Sequence, residues 1–316
     1  MTTTEERQPK DEAPAGAQVE LAFHDQRAHV VEVGGAVRAY TAGDRPLLDG
    51  YGAAERCTGA RGQSLIPWPN RLRDGRYTFG GLDHQLPLTE PARQNAIHGL
   101  VRWANWTVAE QDRARVTMAH TLHPRDGWPF TLGLRIAYEL GEDGLSVRTT
   151  ATNLGGGPCP YGAGAHPYLT LGTGSIDELS LRAPGTRWMR TDDRMIPEGL
   201  EPVDQSSYDW REHRVIGSTV LDVGYADLDR GPDGLAKVEL VHGQSGATVE
   251  LWMDRAYEYL MLFTGDSLDE PGRRRKGLGV EPMTCAPNAL QSGDGLRTLP
   301  PGQSFTSAWG IRATAL

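Results

Sequence analysis

The sequence predicts an all-β protein: a large, mostly antiparallel β-sandwich in a single domain. Three observations carry that expectation. Apolar and polar residues alternate at period 2 in short runs, the pattern of strands with one buried face. The 39 glycines and 21 prolines bound those runs and supply the turns. Long capped segments of 3.6-residue period are hard to find, so helices contribute little.

Residues 1–17, which open MTTTEERQPKDEAPA, are polar, charged and proline-bearing, and read as a disordered tail ahead of a domain over 18–316. They lack the apolar stretch of a secretion signal. TLGLRIAYEL (131–140) is the first clearly alternating run. LSVRTTATN (145–153) sends Leu145, Val147, Thr149 and Ala151 to one face, and Ser146, Arg148, Thr150 and Thr152 to the other. AKVELVHG (236–243), ATVELWMD (247–254), YLMLFTGD (259–266) and FTSAWGIRA (305–313) repeat the pattern. Residues 286–293 have room for one short turn of helix.

A chain of 316 residues can bury a sizeable core without disulfide or metal staples. Its net charge of −9 is unlike the basic face of a nucleic-acid binder, so no nucleic-acid partner is expected. No apolar run reaches the ~18 residues that cross a bilayer, so no membrane partner is expected either. Cys57, Cys159 and Cys285 lie far apart and form no CxxC pair, which points to a reducing compartment and a cytoplasmic location. The basic run in EPGRRRKGLG (270–279) reads as a solvated turn. His120 and His123 would face opposite sides of a strand. With no HExxH, Walker loop or GxGxxG at a strand–helix junction, the usual metal and nucleotide signals are absent.

Four stretches combine ionisable side chains with stiff or glycine-rich backbone. IPWPNRLRDG (66–75) holds Asn70 and Arg71, and QNAIHGLVRWANW (94–106) holds His98 before Gly99. YGAGAHPYL (161–169) holds His166, and GVEPMTCAPNAL (279–290) holds Glu281. His166 and Glu281 each directly precede a proline, which pushes their backbone toward the extended region. An acid and a base benefit from that restriction, because misplacement by an ångström is costly. Gly162 and Gly164 let something approach the backbone closely or form a turn. Taken singly, each has an ordinary reading: a structural histidine, a strand-end carboxylate, a buried ion pair. Trp103 and Trp106 read as core packing rather than as sugar-stacking platforms.

Together these stretches resemble a family. PWPNRLRDGRYTF, NAIHGLVR, GAHPYL, the LD of STVLDVGYADL, YLMLFTGD and VEPMTCAPNAL occur in the order and rough spacing of aldose 1-epimerases, the mutarotases typified by galactose mutarotase. The resemblance implies a large β-sandwich with a sugar cleft on one face, a monosaccharide partner, no metal and no cofactor. The chain is expected as a monomer or homodimer. The resemblance matches His166 to the catalytic acid and Glu281 to the catalytic base. Arg71, His98, Asp222 and Asn70 match sugar-contacting positions. Many galactose-preferring members follow HPY with an aromatic residue and asparagine, where this chain has Leu169 and Thr170.

Interconverting anomers means opening the ring: a base takes the C1 hydroxyl proton while an acid protonates the ring oxygen. The aldehyde then turns about C1–C2 and closes from its other face. A glutamate of reference pKa ~4.3 is ready as the base. A histidine near ~6.5 needs a carboxylate beside it, Glu281 or Asp222, to stay imidazolium. The alternatives are a glycoside hydrolase pairing Glu281 with Asp222, a non-catalytic sugar-binding protein, and a hexose-6-phosphate epimerase drawing on Arg71, Arg73 and Arg102.

Overall fold

The computed structural model describes residues 13–314, and every alternating run singled out above is a strand in it. Among the described residues two large antiparallel sheets share one apolar core. The nine-stranded sheet contains Arg115–Leu122, Leu132–Gly141, Gly144–Asn153, Ser304–Thr314, Thr248–Met253 and Ala236–His242 side by side in that order. Its register lines up Val116, Tyr138, Val147, Trp309, Met253 and Ala236 in a single cross-strand row, all buried. Each aliphatic side chain buried this fully stabilises the fold by about 1.5–3 kcal/mol. Leu145, Val147, Thr149 and Ala151 do face inward, as the alternation requires.

The eight-stranded sheet runs Pro197–Pro202, Gly185–Thr191, Asp222–Leu228, Tyr259–Phe263, Leu278–Met283, Gly164–Ala165 and Ser64–Leu65, with Tyr168–Leu169 also paired to Leu278–Met283. Val223, Leu262 and Val280 point into the shared core. Their neighbours along each strand therefore face the other way, and that outer face carries the site. A four-stranded sheet formed by Gln18–Phe23, Gln26–Val31, Val37–Ala42 and Arg45–Pro46 precedes both. The helical turn falls at Ala289–Ser292. No helix among the described residues is long and apolar enough to cross a membrane.

Three expectations need correcting. The tail does not extend through residue 17. Ala15 is buried with Val31, Ala36, Tyr51 and Cys57, and its carbonyl accepts from Val33 N at 3.0 Å. Residues 1–12 lie outside the described residues. The basic run is a brace rather than a solvated turn. Arg273 bonds Glu55 and the Gly50 carbonyl, Arg275 bonds Asp177, Asp266 and the Gly217 carbonyl, and Lys276 reaches the Gly174 carbonyl. Most of its partners lie far off in the sequence, so no local pattern announces them. Trp106 is core, but Trp103 is 52% exposed with Arg102 over its ring at 5.9 Å.

Candidate active site

Three neighbouring strands form the floor of the site. Asp222, Phe263 and Gly279 lie in one cross-strand row of the outer face, and Gly224, Met261 and Glu281 lie in the next. Gly279 lets its neighbours close in: a Cβ there would stand 3.6 Å from His166 Cε1 and only 3.2 Å from Phe263 Cβ. Pro282 follows Glu281 within the strand and keeps its backbone extended.

His166 sits where the chain breaks between Gly164–Ala165 and Tyr168–Leu169, two short strands that both pair with the Glu281 strand. The break is pinned on every side. His166 N donates to Gln63 O at 3.0 Å, its carbonyl accepts from Gly62 N at 2.9 Å, and Val280 N donates to Pro167 O at 3.0 Å. The imidazole stacks on Tyr168 with centroids 4.9 Å apart and planes 18° apart. Its Nε2 comes within 3.2 Å of Glu281 Oε1. Gly162 and Gly164 do permit close approach, but to Cys285 Sγ and Pro69 Cβ rather than to a ligand.

His98 and Asn70 hold each other. Asn70 N donates to His98 Nδ1 at 3.2 Å and His98 N donates to Asn70 O at 2.9 Å. Both adopt left-handed backbone, φ 62° and 55°. Gly99 follows with φ 70°, and a Cβ on it would stand 2.1 Å from Ile66 O, so only glycine fits. Because Nδ1 accepts a backbone N–H, the His98 hydrogen is on Nε2. The ring centroids of His98 and His166 are 5.4 Å apart. His98, His166 and Glu281 offer ligand-type atoms within 4.8 Å of one another. His98, with Nδ1 occupied and Nε2 protonated, has no lone pair left for a cation. His120 lies elsewhere, its Nδ1 3.1 Å from the Asn105 carbonyl.

Arg71 begins the strand Arg71–Arg73, paired with Asn95–Ile97, and its guanidinium is bonded to Glu90. Asp222 is half-buried, and burial lifts its carboxyl above the usual range while Arg71 and Arg93 oppose the rise. All six sequence-predicted residues thus gather on one side of the eight-stranded sheet. Reading the sequence missed Phe263, Met261 and Gly279 in the floor, and Glu90 behind Arg71. The signal for the floor was present in YLMLF: an apolar run where alternation demands a polar outer face.

Burial works against the charged forms expected of the pair. His166 and Glu281 are 5% and 3% exposed. Burial pushes the His166 imidazole down to about 3, with Arg102 adding to the fall. Burial pushes the Glu281 carboxyl up to about 8, with Asp222 adding and Arg71 opposing. His98 is likewise held well below its ordinary value, mainly by burial. Taking both charges out of water costs more than their mutual attraction returns. Burial thus favours the uncharged form of each group, the neutral imidazole and the protonated carboxyl. A surface cavity of about 650 Å³ lined by Tyr77, His84 and Gln291 holds none of these groups.

The architecture is that of galactose mutarotase-like β-sandwich proteins. The chain superposes on a galactose mutarotase-like protein from Clostridium acetobutylicum with a TM-score of 0.84, 18% identity and 95% of each chain covered. It belongs to the aldose 1-epimerase family, which it matches over residues 18–312. Among its relatives, the Escherichia coli protein YihR is 33% identical over 92% of this chain and 91% of its own. The Escherichia coli aldose 1-epimerase is 28% identical over 51% of this chain and 47% of its own.

Proposed function

We propose that the protein is a mutarotase that interconverts the α- and β-anomers of a free aldose, with His166 and Glu281 exchanging the protons. The observation that carries this reading is the direct 3.2 Å contact between a buried imidazole and a buried carboxyl. Between them the two groups hold one transferable proton and one acceptor. A sugar entering the site displaces their mutual hydrogen bond. Its C1 hydroxyl donates to Glu281, which favours the carboxylate and shifts the proton to His166. Glu281 then takes the C1 hydroxyl proton as His166 protonates the ring oxygen, and closure from the opposite face returns both. His98, through Nε2–H, donates to a sugar oxygen, and Asp222 accepts from a hydroxyl. Asn70 acts chiefly by orienting His98. Three unpaired buried cysteines accord with a cytoplasmic setting.

A glycoside hydrolase pairs two carboxylates across the scissile bond, whereas the direct partner of Glu281 is an imidazole. A non-catalytic sugar binder has no use for a matched proton donor and acceptor. One observation favours a phosphorylated sugar: Arg102, unlike Arg71 and Arg73, has no ion-pair partner among the described residues.

Polarimetry on freshly dissolved α-glucose, α-galactose, a pentose and glucose 6-phosphate tests the assignment and ranks the substrates. His166→Ala and Glu281→Gln each remove about 100- to 10,000-fold of the rate, the usual worth of a positioned acid or base. Retention of more than about a tenth of parental activity by either variant ends the role assignment. Release of phenol from an aryl glycoside at enzymatic rates would favour hydrolysis instead.

A further inference from the structure

Arg71 is held from behind by a carboxylate that has no place in the proton chemistry. Glu90 accepts from Arg71 Nε at 3.2 and 2.9 Å through its two oxygens, and from Nη2 at 3.0 Å. Nη1 makes no hydrogen bond to another described residue. The carboxylate is itself fixed from three directions. Arg93 Nη1 donates to Oε1 at 3.1 Å and Asn95 Nδ2 to Oε2 at 3.0 Å. The backbones of Glu90 and Asn95 exchange a pair of bonds, at 2.9 and 3.2 Å. Asn95 is fully buried, and its amide also reaches the Arg194 carbonyl at 3.0 Å, at the tip of the hairpin joining Gly185–Thr191 to Pro197–Pro202. Arg194 closes the network by donating to the Arg93 carbonyl at 2.8 Å.

We propose that Glu90 is a positioning residue: it grips Nε and Nη2 of Arg71 and so aims Nη1 at the sugar, setting affinity without touching substrate. A bidentate carboxylate fixes a planar guanidinium in both direction and tilt, which a single bond does not. The buried Asn95 and the hairpin tip carry that fixity back into the eight-stranded sheet. The inference rests on reading Arg71 as a sugar contact.

The test measures kcat and KM for the best aldose in Glu90→Gln, Glu90→Asp, Arg71→Lys and the Glu90→Gln/Arg71→Lys double variant, with a thermal melt of each. Glu90→Gln keeps the shape but replaces one acceptor with a donor that opposes the guanidinium. It is expected to raise KM about 10-fold or more while kcat moves less than about 3-fold. Glu90→Asp, which keeps the charge but draws it back by one methylene, falls between parent and Glu90→Gln. It carries the test if Glu90→Gln does not fold. In the Arg71→Lys background, Glu90→Gln adds less than about 2-fold, because the group it positions is gone. The same multiplicative loss in both backgrounds, or an unchanged KM in Glu90→Gln, overturns the proposal. If Arg71→Lys raises KM and Glu90→Gln does not, only the positioning role fails. If Arg71→Lys leaves KM alone, the sugar-contact reading fails with it.

Discussion

The two large sheets use the same alternation for opposite ends. In the nine-stranded sheet, Val116, Tyr138, Val147, Trp309, Met253 and Ala236 continue one buried row across successive strands without a break. In the eight-stranded sheet, Gly164–Ala165 and Tyr168–Leu169 are two-residue strands parted by His166–Pro167, and Pro282, with no N–H to donate, lies within the strand they pair with. Each irregularity removes a ladder bond and delivers a polar side chain to the outer face. Regular pairing makes the protein stable; its local failure makes the site.

This division is open to attack by substitution. The largest effect belongs to His166→Ala and Glu281→Gln, whose loss of turnover must come without a matching loss of melting temperature. A melt that falls in step with activity would erase the distinction. On the other sheet, Ile136→Ala is expected to cost about 2–5 kcal/mol in a urea titration while leaving kcat and KM of the folded fraction alone. Gly99→Ala breaks the separation on purpose. Its left-handed φ and the Ile66 carbonyl 2.1 Å from the added Cβ cost at least about 2 kcal/mol, and His98 moves with it, so turnover falls as well. Gly141→Ala, with nothing within 4 Å of the new methyl, serves as the neutral control.

The smallest effect is in pH dependence. The Glu281 carboxyl titrates near its ordinary 4.5 when unfolded and near about 8 when folded. Its contribution to stability is therefore full below pH 4.5 and is lost as pH rises to 8. His166, lowered from 6.5 to about 3, has the opposite sign: its contribution is full above pH 6.5 and is lost on acidification. Between pH 6.5 and 8 only the Glu281 term changes, so the stability advantage of Glu281→Gln over the parent should grow by roughly 1–2 kcal/mol. A constant difference across that range means the carboxyl is not held protonated.

Much of this was legible in the sequence, for physical reasons. Period-2 alternation is local, so the long strands could be placed from their own residues. His166 and Glu281 were marked by the prolines that follow them, and His98 by Gly99. What escaped depends on depth or on distant partners. The pull of burial toward the uncharged forms of His166 and Glu281 is encoded in no short stretch. Glu90 is unremarkable until Arg71 and Asn95 surround it. The arginines at 273 and 275 looked free because their carboxylates stand at positions 55, 177 and 266. Trp103 and Trp106, three residues apart, fell on opposite sides of the boundary between surface and core.

The braced basic run has a practical meaning of its own. A succession of arginines and a lysine in a surface loop is what trypsin cuts, yet Arg273, Arg275 and Lys276 tie this loop to neighbouring ones. Cleavage there requires the loop to let go first, so the rate of nicking reads out a local opening. Asp49, which Arg273 shares with Arg61, links that opening to the ring of Tyr168, against which His166 rests. A sugar that steadies the imidazole should therefore slow a protease working at the far end of the chain of contacts.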